Sequence, residues 1–127
     1  MTLTPVAQPP IDLRPWYDRW ERQQETYIPL RETRFQVMLD IVEHMVGPAP
    51  RVLDLLSGPG AISARVLQRF PQATVVALDL DPVLIAIGKS AHGDGGGRLS
   101  WLEANVKDPD WLNVLPPGNF DAVLSTT

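Results

Sequence analysis

From residue 51 onward, short continuous apolar runs alternate with segments of helical spacing, and this alternation constrains the fold more than any other feature. The apolar runs lie at residues 51–56, 74–78, 98–102 and 120–124. The helical segments between them lie at residues 61–70, 82–90 and 108–115. Parallel strands that are covered on both faces need continuous apolar runs, and right-handed crossovers join them. The sequence therefore predicts an α/β fold with four parallel strands, preceded by helices.

The N-terminal part is predicted to hold a flexible arm at residues 1–15, marked by Pro5, Pro9, Pro10 and Pro15, and helices at residues 16–47. Residues 31–46 carry an apolar stripe of half-buried helical spacing: Phe35, Met38, Leu39, Val42 and Met45. Trp16 and Trp20 share a helix face and either cover a ligand pocket or, as we favour, pack their helix on the core. The arginines of this region alternate with glutamates and predict a solvated helix face: Arg19, Arg22, Arg31 and Arg34.

Composition excludes several classes of site. The 127 residues predict one domain at most, with residues 48–127 as its ligand-binding part. The net charge of −4 disfavours nucleic acid as a partner, and the absence of cysteine excludes disulfides and thiolate nucleophiles. We find no secretory signal, no membrane-spanning run and no metal-ligand cluster, and we expect a cytoplasmic protein.

His44 and His92 are predicted to be solvated rather than catalytic.

The residues with the clearest chemistry follow the first apolar run. Gly58 and Gly60 form a turn between a strand and a helix, where a ligand can approach the backbone and the first N–H groups of the helix. Asp79 follows 21 residues after Gly58, at the end of the second predicted strand. An acid at this spacing can accept hydrogen bonds from the ribose hydroxyls of a nucleoside. Asp81 is the better cap for the next helix, which leaves Asp79 available for a ligand.

Four segments resemble the motifs of the class I (Rossmann-like) S-adenosylmethionine-dependent methyltransferases, in that family's order: residues 52–60, 75–82, 101–106 and 120–125. The resemblance implies a Rossmann-like fold of strand order 3-2-1-4, incomplete after its fourth strand. It implies S-adenosyl-L-methionine as the cofactor. Asp54, inside the first strand, disfavours a nicotinamide-dependent dehydrogenase.

The resemblance also implies a set of cofactor-binding residues: Asp54, Ser57, Gly58, Gly60, Asp79, Leu80, Asn105, Val106 and Ser125. In this scheme Asp54 holds the loop or the cofactor's amino group, Asp79 takes the ribose hydroxyls, and Leu80 and Asn105 contact the adenine. Leu56 stands where the family usually has its first glycine, and it could crowd the methionine end of the cofactor.

The family resemblance predicts methyl transfer to an unidentified, small-molecule acceptor, with no residue assigned as a catalytic base. The residues after Leu124 are Ser125, Thr126 and Thr127 rather than the Asn/Asp-Pro-Pro-aromatic motif of enzymes that methylate exocyclic amines of DNA bases. Because the chain ends within the fourth motif, we expect a fragment or truncated copy whose fourth strand can self-associate through its edge. The alternative is a non-catalytic module that binds the cofactor weakly or binds only a protein partner.

Overall fold

The structure is a computed structural model that describes residues 11–126. Its helices and strands are, in chain order, α1 (Arg14–Tyr27), α2 (Arg31–Val46), β1 (Arg51–Leu55), α3 (Ala61–Arg69), β2 (Thr74–Asp79), α4 (Pro82–His92), β3 (Leu99–Glu103), a 3₁₀ helix (Trp111–Val114) and β4 (Ala122–Leu124). The four strands pair in parallel in the order β3-β2-β1-β4, as predicted. The carboxyl ends of β1, β2 and β4 therefore meet at one edge of the sheet.

Both faces of the sheet pack against other elements, which explains the continuous apolar runs of its strands, although Val123 of the edge strand β4 is 58% exposed. On one face Val52 and Val75 pack with residues of α2 and α3, including Leu39, Ile62 and Val66. On the other face the buried residues are Leu53, Val76 and Leu78. The segment that follows β3 covers this second face with its apolar side chains, which are Val106, Trp111, Leu115 and Phe120.

A cap or a first-turn proline marks the start of two of the four α-helices in the described residues. Asp81 caps α4 because its side chain accepts a hydrogen bond from the backbone N–H of Val83 at 2.8 Å, and Pro82 occupies the first turn. Pro15 likewise lies in the first turn of α1. Assigning Pro15 to an extended arm was therefore wrong, because proline suits the first helical turn. Residues 1–10 of the predicted arm lie outside the described residues.

The segment 108–115 does not form the predicted α-helix. It contains only the 3₁₀ helix Trp111–Val114, and the carbonyl of Asp108 accepts a bond from the N–H of Trp111 at 3.2 Å. The side chain of Asp108 makes none of the hydrogen bonds within the described residues that would cap a helix, unlike that of Asp81. Packing of Trp111 and Leu115 onto the sheet determines this segment more than its helix propensity does.

The stripe of α2 is shorter than predicted. Phe35, Leu39 and Val42 are buried and Met38 packs beside them, but Met45 is 73% exposed. Among residues 11–126, no helix combines the length and apolar character needed to cross a membrane.

Candidate functional site

The turn after β1 has the left-handed backbone that its glycines permit. Gly58 has φ +55° and Gly60 has φ +84°, and Leu56 adopts φ +58° without being a glycine. Two backbone hydrogen bonds hold the turn: Ser57 N–H donates to the carbonyl of Leu78 at 2.9 Å, and Gly60 N–H donates to the carbonyl of Ser57 at 3.0 Å. The turn is therefore attached to the end of β2.

Asp79 joins the ends of β1 and β2. Its Oδ2 accepts from the backbone N–H of Gly58 at 2.8 Å, and its Oδ1 accepts from the N–H of Asp81 at 2.8 Å. Each carboxylate oxygen has a further lone pair, so Asp79 can still accept hydrogen bonds from a ligand. The half-buried carboxylate is held in one orientation by the backbone.

Asp54 lies on β1 at the base of the turn and is only 1% exposed. Its Oδ2 accepts a hydrogen bond from the hydroxyl of Ser63 at 2.6 Å, whereas its Oδ1 has no partner among the described residues. Burial raises the pKa of Asp54 to about 7, and the nearby charge of Asp79 adds to this, while the hydrogen bonds from Ser63 act in the opposite direction. Asp54 thus combines an unpaired acceptor atom with a pKa close to neutral pH.

A cavity of about 510 Å³ lies between the turn and the two N-terminal helices. The turn and the strand ends line one side of it through Leu56, Ser57, Gly58, Asp79 and Ser125. The helices line the other side through Trp20, Gln24, Ile28, Arg31, Arg34, Phe35 and Met38. Ala61, Leu84 and Thr126 complete the lining. A cavity of this size suits a small ligand or cofactor.

Trp20 lies directly over the turn. A Cβ atom added at Gly58 would be 3.7 Å from Cζ2 of Trp20, so the indole approaches this glycine closely. Trp16 has no such role and is 52% exposed. Trp20 therefore fits the interpretation in which the helix covers a pocket. Neither Trp16 nor Trp20 is buried in the core.

Polar contacts hold α1 in this position. Arg31, which is 6% exposed, donates two hydrogen bonds to the carboxylate of Glu21 at 2.8 and 3.1 Å, and Arg65 of α3 donates to the same carboxylate at 3.2 Å. Burial tends to raise the pKa of Glu21, but the two guanidinium groups outweigh it and lower that pKa. The prediction that Arg31 belongs to a solvated face was wrong, because Glu21 lies ten residues away on another helix and compensates its buried charge.

The prediction of a solvated His92 was also wrong. Its ring packs edge-on against Tyr17 with centroids 4.5 Å apart, and its Nε2 is buried without a partner among the described residues. Burial lowers the pKa of His92, which favours the neutral ring. His44, by contrast, is exposed. His92 therefore forms part of the contact between α1 and α4.

The cavity brings together four of the nine predicted site residues: Ser57, Gly58, Asp79 and Ser125. The other five lie elsewhere around the turn and strand ends. Gly60 begins α3 against the ring of Trp101, and Leu80 is 53% exposed. Oδ1 of Asn105 accepts from the N–H of Lys107 at 2.9 Å, and Val106 packs on the second face of the sheet. The roles predicted for these residues stay predictions.

Sequence reasoning missed most of the helical side of the cavity. The sequence assigns Phe35 and Met38 only to the core stripe of α2 and Arg34 only to a solvated helix face, and it gives Gln24 and Ile28 no role. Within α2, residues 31, 35 and 38 recur at intervals of four and three, which is one usable signal. That signal is identical for a core-facing and a cavity-facing stripe.

Comparison with known proteins identifies a family. A family model described as a methyltransferase domain matches residues 52–127. The chain is 37% identical over 78 residues to a release factor glutamine methyltransferase of Bordetella pertussis, covering 61% of this chain and 27% of that protein. It is 29% identical over 97 residues to a trans-aconitate 2-methyltransferase of Streptomyces avermitilis, covering 75% of this chain and 34% of that protein.

Solved structures share the fold. The S-adenosylmethionine-bound amino pentose methyltransferase CalS10 of Micromonospora echinaspora superimposes with a TM-score of 0.59 at 19% identity, over 100% of this chain and 45% of that one. The chain thus spans between about a quarter and a half of the length of these proteins.

Proposed function

We propose that this chain, which belongs to the class I S-adenosylmethionine-dependent methyltransferases and so takes S-adenosyl-L-methionine as its cofactor, binds that cofactor in the cavity bordered by the glycine turn and by helices α1 and α2. The observation that carries the proposal is the cavity in which Ser57, Gly58, Asp79 and Ser125 meet. We further propose that the methyl group of this cofactor is transferred to a small-molecule acceptor.

The residues present fit the cofactor. Asp79 lines the cavity, and its carboxylate retains lone pairs for two ribose hydroxyls. Oδ1 of Asp54 is a buried acceptor in need of a donor, which the cofactor's ammonium group can satisfy directly or through a water molecule. The carboxylate of Asp79 at the cavity wall also favours a cationic cofactor electrostatically.

Methyl transfer requires the protein mainly to position the cofactor and the acceptor. When bound, the cofactor supplies a methyl group on a sulfonium, which is already a strong electrophile. Asp79 and the turn hold the nucleoside in place, Trp20 excludes water above Gly58, and Ser125 and Thr126 border the space at the end of β4. Such fixed geometry lowers the barrier of an in-line displacement by aligning the acceptor with the methyl carbon.

Two observations favour a small-molecule acceptor. Helices α1 and α2 line one side of the cavity, and the net charge of −4 gives no general attraction for nucleic acid. The trans-aconitate methyltransferase named above is a relative with a small-molecule acceptor, whereas the release factor methyltransferase has a protein acceptor. We weigh the helical wall and the net charge above the relatives, because their names differ in this respect.

The alternative of a weakly binding, non-catalytic module is favoured by Leu56. Its side chain lines the cavity from a strained left-handed backbone, at the position where the family usually has a glycine. Cofactor binding without methyl transfer to any acceptor would favour this alternative.

Calorimetric titration with S-adenosylhomocysteine tests the proposal. We expect binding by the chain and at least tenfold weaker binding by Asp79→Asn, because the amide cannot accept the same hydrogen bonds. Asp94→Asn is the matched control, since Asp94 also accepts a backbone N–H but lies outside the cavity lining. A folded chain that does not bind, or equal weakening by both variants, would contradict the proposal.

A further inference from the structure

His92 contacts both α1 and the glycine turn. It is the last residue of α4, and its ring packs edge-on against Tyr17 of α1 with ring centroids 4.5 Å apart. Its Cδ2 atom lies 3.6 Å from the point where a Cβ at Gly60 would stand, and the carbonyl of Pro59 acts on the ring as a hydrogen-bond acceptor. Because α1 and the turn both border the proposed cofactor cavity, this one side chain of α4 links two of its walls.

The contact with Tyr17 lies close to the part of α1 that borders the cavity. Trp20, which lines the cavity, follows Tyr17 by three residues, or about 4.5 Å along the helix axis. At its start α1 is attached to α4 a second time, since the backbone N–H of Leu13 donates to the hydroxyl of Ser90 at 2.8 Å. A movement of Tyr17 away from α4 would therefore also move Trp20 away from the cavity.

The position of the ring suits a neutral histidine. Its Nε2 atom is buried and has no hydrogen-bond partner within residues 11–126. If the ring were protonated, Nε2 would carry an N–H that is buried without an acceptor in that part of the chain, and a buried unpaired donor is costly. Protonation of His92 therefore weakens the contact with Tyr17.

The charged groups near the ring do not offset this cost. The carboxylate of Glu21 on α1 favours protonation of His92, and the guanidinium of Arg65 on α3 opposes it. Tyr17 is uncharged, because burial and the carboxylate of Glu21 raise its pKa to about 12. Neither the glycine turn nor Trp101 of β3 brings a titratable group to this contact. Burial outweighs the nearby charges and lowers the pKa of His92.

We infer that His92 is a positioning residue of the cofactor site, which in its neutral form holds α1 beside the glycine turn and on protonation releases α1 from the cavity. The inference rests on the proposed cofactor site. His92 does not line the cavity, so it acts on the cofactor through Tyr17, Trp20 and the turn.

The direction of the pH dependence follows from where the proton is bound. A ring whose pKa is lower with α1 in place than with α1 released binds fewer protons when α1 is in place. The cofactor, which needs α1 in place, therefore binds more weakly at pH values below 6.5, the ordinary pKa of histidine, and by at most about tenfold per pH unit. At higher pH the ring is neutral in both arrangements and contributes no pH dependence.

The first arm of the test measures cofactor affinity against pH. The chain, His92→Gln and the control His44→Gln are titrated calorimetrically with S-adenosylhomocysteine at pH 8, pH 6.5 and pH 5. We expect the Kd of the unaltered chain, divided by that of His92→Gln, to rise roughly threefold or more from pH 8 to pH 5. Asp54, whose pKa is raised to about 7, titrates in both proteins and cancels in this ratio. His44 is exposed, so the same ratio for His44→Gln stays constant.

The second arm uses the ligand-free chain. The NMR signal of the His92 ring C–H, assigned by its loss in His92→Gln, is titrated with acid in the unaltered chain and in Tyr17→Ala. Its midpoint should lie below 6.5 in the unaltered chain and rise toward that value in Tyr17→Ala, because the variant exposes the ring. In the unaltered chain the indole N–H signal of Trp20, assigned by its loss in Trp20→Phe, should shift with the same midpoint.

The inference is overturned if the affinity ratio for His92→Gln is constant from pH 8 to pH 5, or if the Trp20 signal does not follow the titration of His92. Failure of the proposed function is a different result, since the unaltered chain would then bind no S-adenosylhomocysteine at any pH. In that case the second arm still decides whether His92 holds α1 in place.

Discussion

The backbone N–H of Gly58 donates a hydrogen bond of 2.8 Å to Oδ2 of Asp79, 21 residues further along the chain. This bond joins the glycine turn after β1 to the end of β2. The same carboxylate that we propose for the ribose hydroxyls therefore also orders the loop on which the nucleoside would lie. Loss of Asp79 should affect the loop even without a ligand.

Asp79→Ala should increase the hydrogen-exchange rate of the Gly58 amide about tenfold or more, because a hydrogen bond to a charged acceptor contributes about 1.5–3 kcal/mol. Exchange measured by NMR on the ligand-free protein checks this. Asp81→Ala is the control, since it removes the cap of α4 and leaves the acceptor of Gly58 intact. Equal exchange at Gly58 in the unaltered chain and Asp79→Ala would show that the bond does not order the loop.

Leu56→Gly should be more stable than Leu56→Ala by about 1 kcal/mol, because glycine adopts φ +58° without the steric cost that any Cβ brings. It should also bind S-adenosylhomocysteine several times more tightly than the unaltered chain, since the Leu56 side chain lines the cavity. Denaturant unfolding and calorimetry are the measurements.

Leu30 offers a matched control for this pair of effects. It has φ +55° but does not line the cavity. Leu30→Gly should therefore exceed Leu30→Ala in stability by a similar amount and leave the affinity unchanged. Weaker ligand binding by Leu56→Gly would mean that Leu56 supports the site rather than crowding it.

Asp54→Asn should change how stability depends on pH. The pKa of Asp54 is raised from 3.8 to about 7 by burial, so the folded chain retains a proton that the unfolded chain releases. The contribution of this group to the free energy of unfolding therefore falls as pH rises from about 4 to about 7, and it is constant above that range. The asparagine variant lacks this pH-dependent contribution to the free energy of unfolding, because its side chain does not titrate.

The stability of Asp54→Asn relative to the unaltered chain should accordingly rise with pH over that window, by an amount on the order of 4 kcal/mol at most. Denaturant unfolding at pH 5 and pH 8 measures it. Other carboxylates whose pKa is lowered, such as Glu21, titrate in both proteins and cancel in the difference. A stability difference that does not vary with pH would contradict the raised pKa.

Glu21→Gln should loosen α1, because it leaves the buried guanidinium of Arg31 without a charged partner. We expect a loss of about 2 kcal/mol in stability and faster hydrogen exchange along α1, with a change in the fluorescence of Trp20 above the turn. Glu25→Gln on the same helix is the control, since Glu25 is exposed. If the two variants behave alike, the contact of Glu21 with Arg31 and Arg65 does not hold the helix.

Much of the fold follows from local signals. The continuous apolar runs predicted the four strands. Parallel strands joined through helices are compatible with the strand order β3-β2-β1-β4, which the structure confirms. Asp81 and Pro82 predicted the start of α4, because a cap and a first-turn proline act within a few residues. The same Asp-Pro pair at 108–109 failed, because packing of the following side chains on the sheet outweighed a local preference.

Gly88 shows what local signals do not contain. In the sequence it is a helix-weakening glycine inside α4, but a Cβ there would overlap the ring of Trp101 and lie 2.8 Å from the carbonyl oxygen of Pro59. The need for a glycine at position 88 arises because Trp101 of β3 and the turn residue Pro59 both lie against α4 in the folded chain. Alanine at this position would gain helix propensity and lose more through the clash.

The sequence by itself determined the side of the site formed by the sheet, because Ser57, Gly58, Asp79 and Ser125 follow strands whose carboxyl ends must meet in a parallel sheet. Only the tertiary structure decided the other side. Whether Trp20 and Arg34 face solvent, core or cavity depends on how α1 and α2 dock, and docking depends on contacts between distant residues such as Glu21 and Arg65. Helical periodicity shows which residues share a face, but the partner of that face is set by packing across the whole chain.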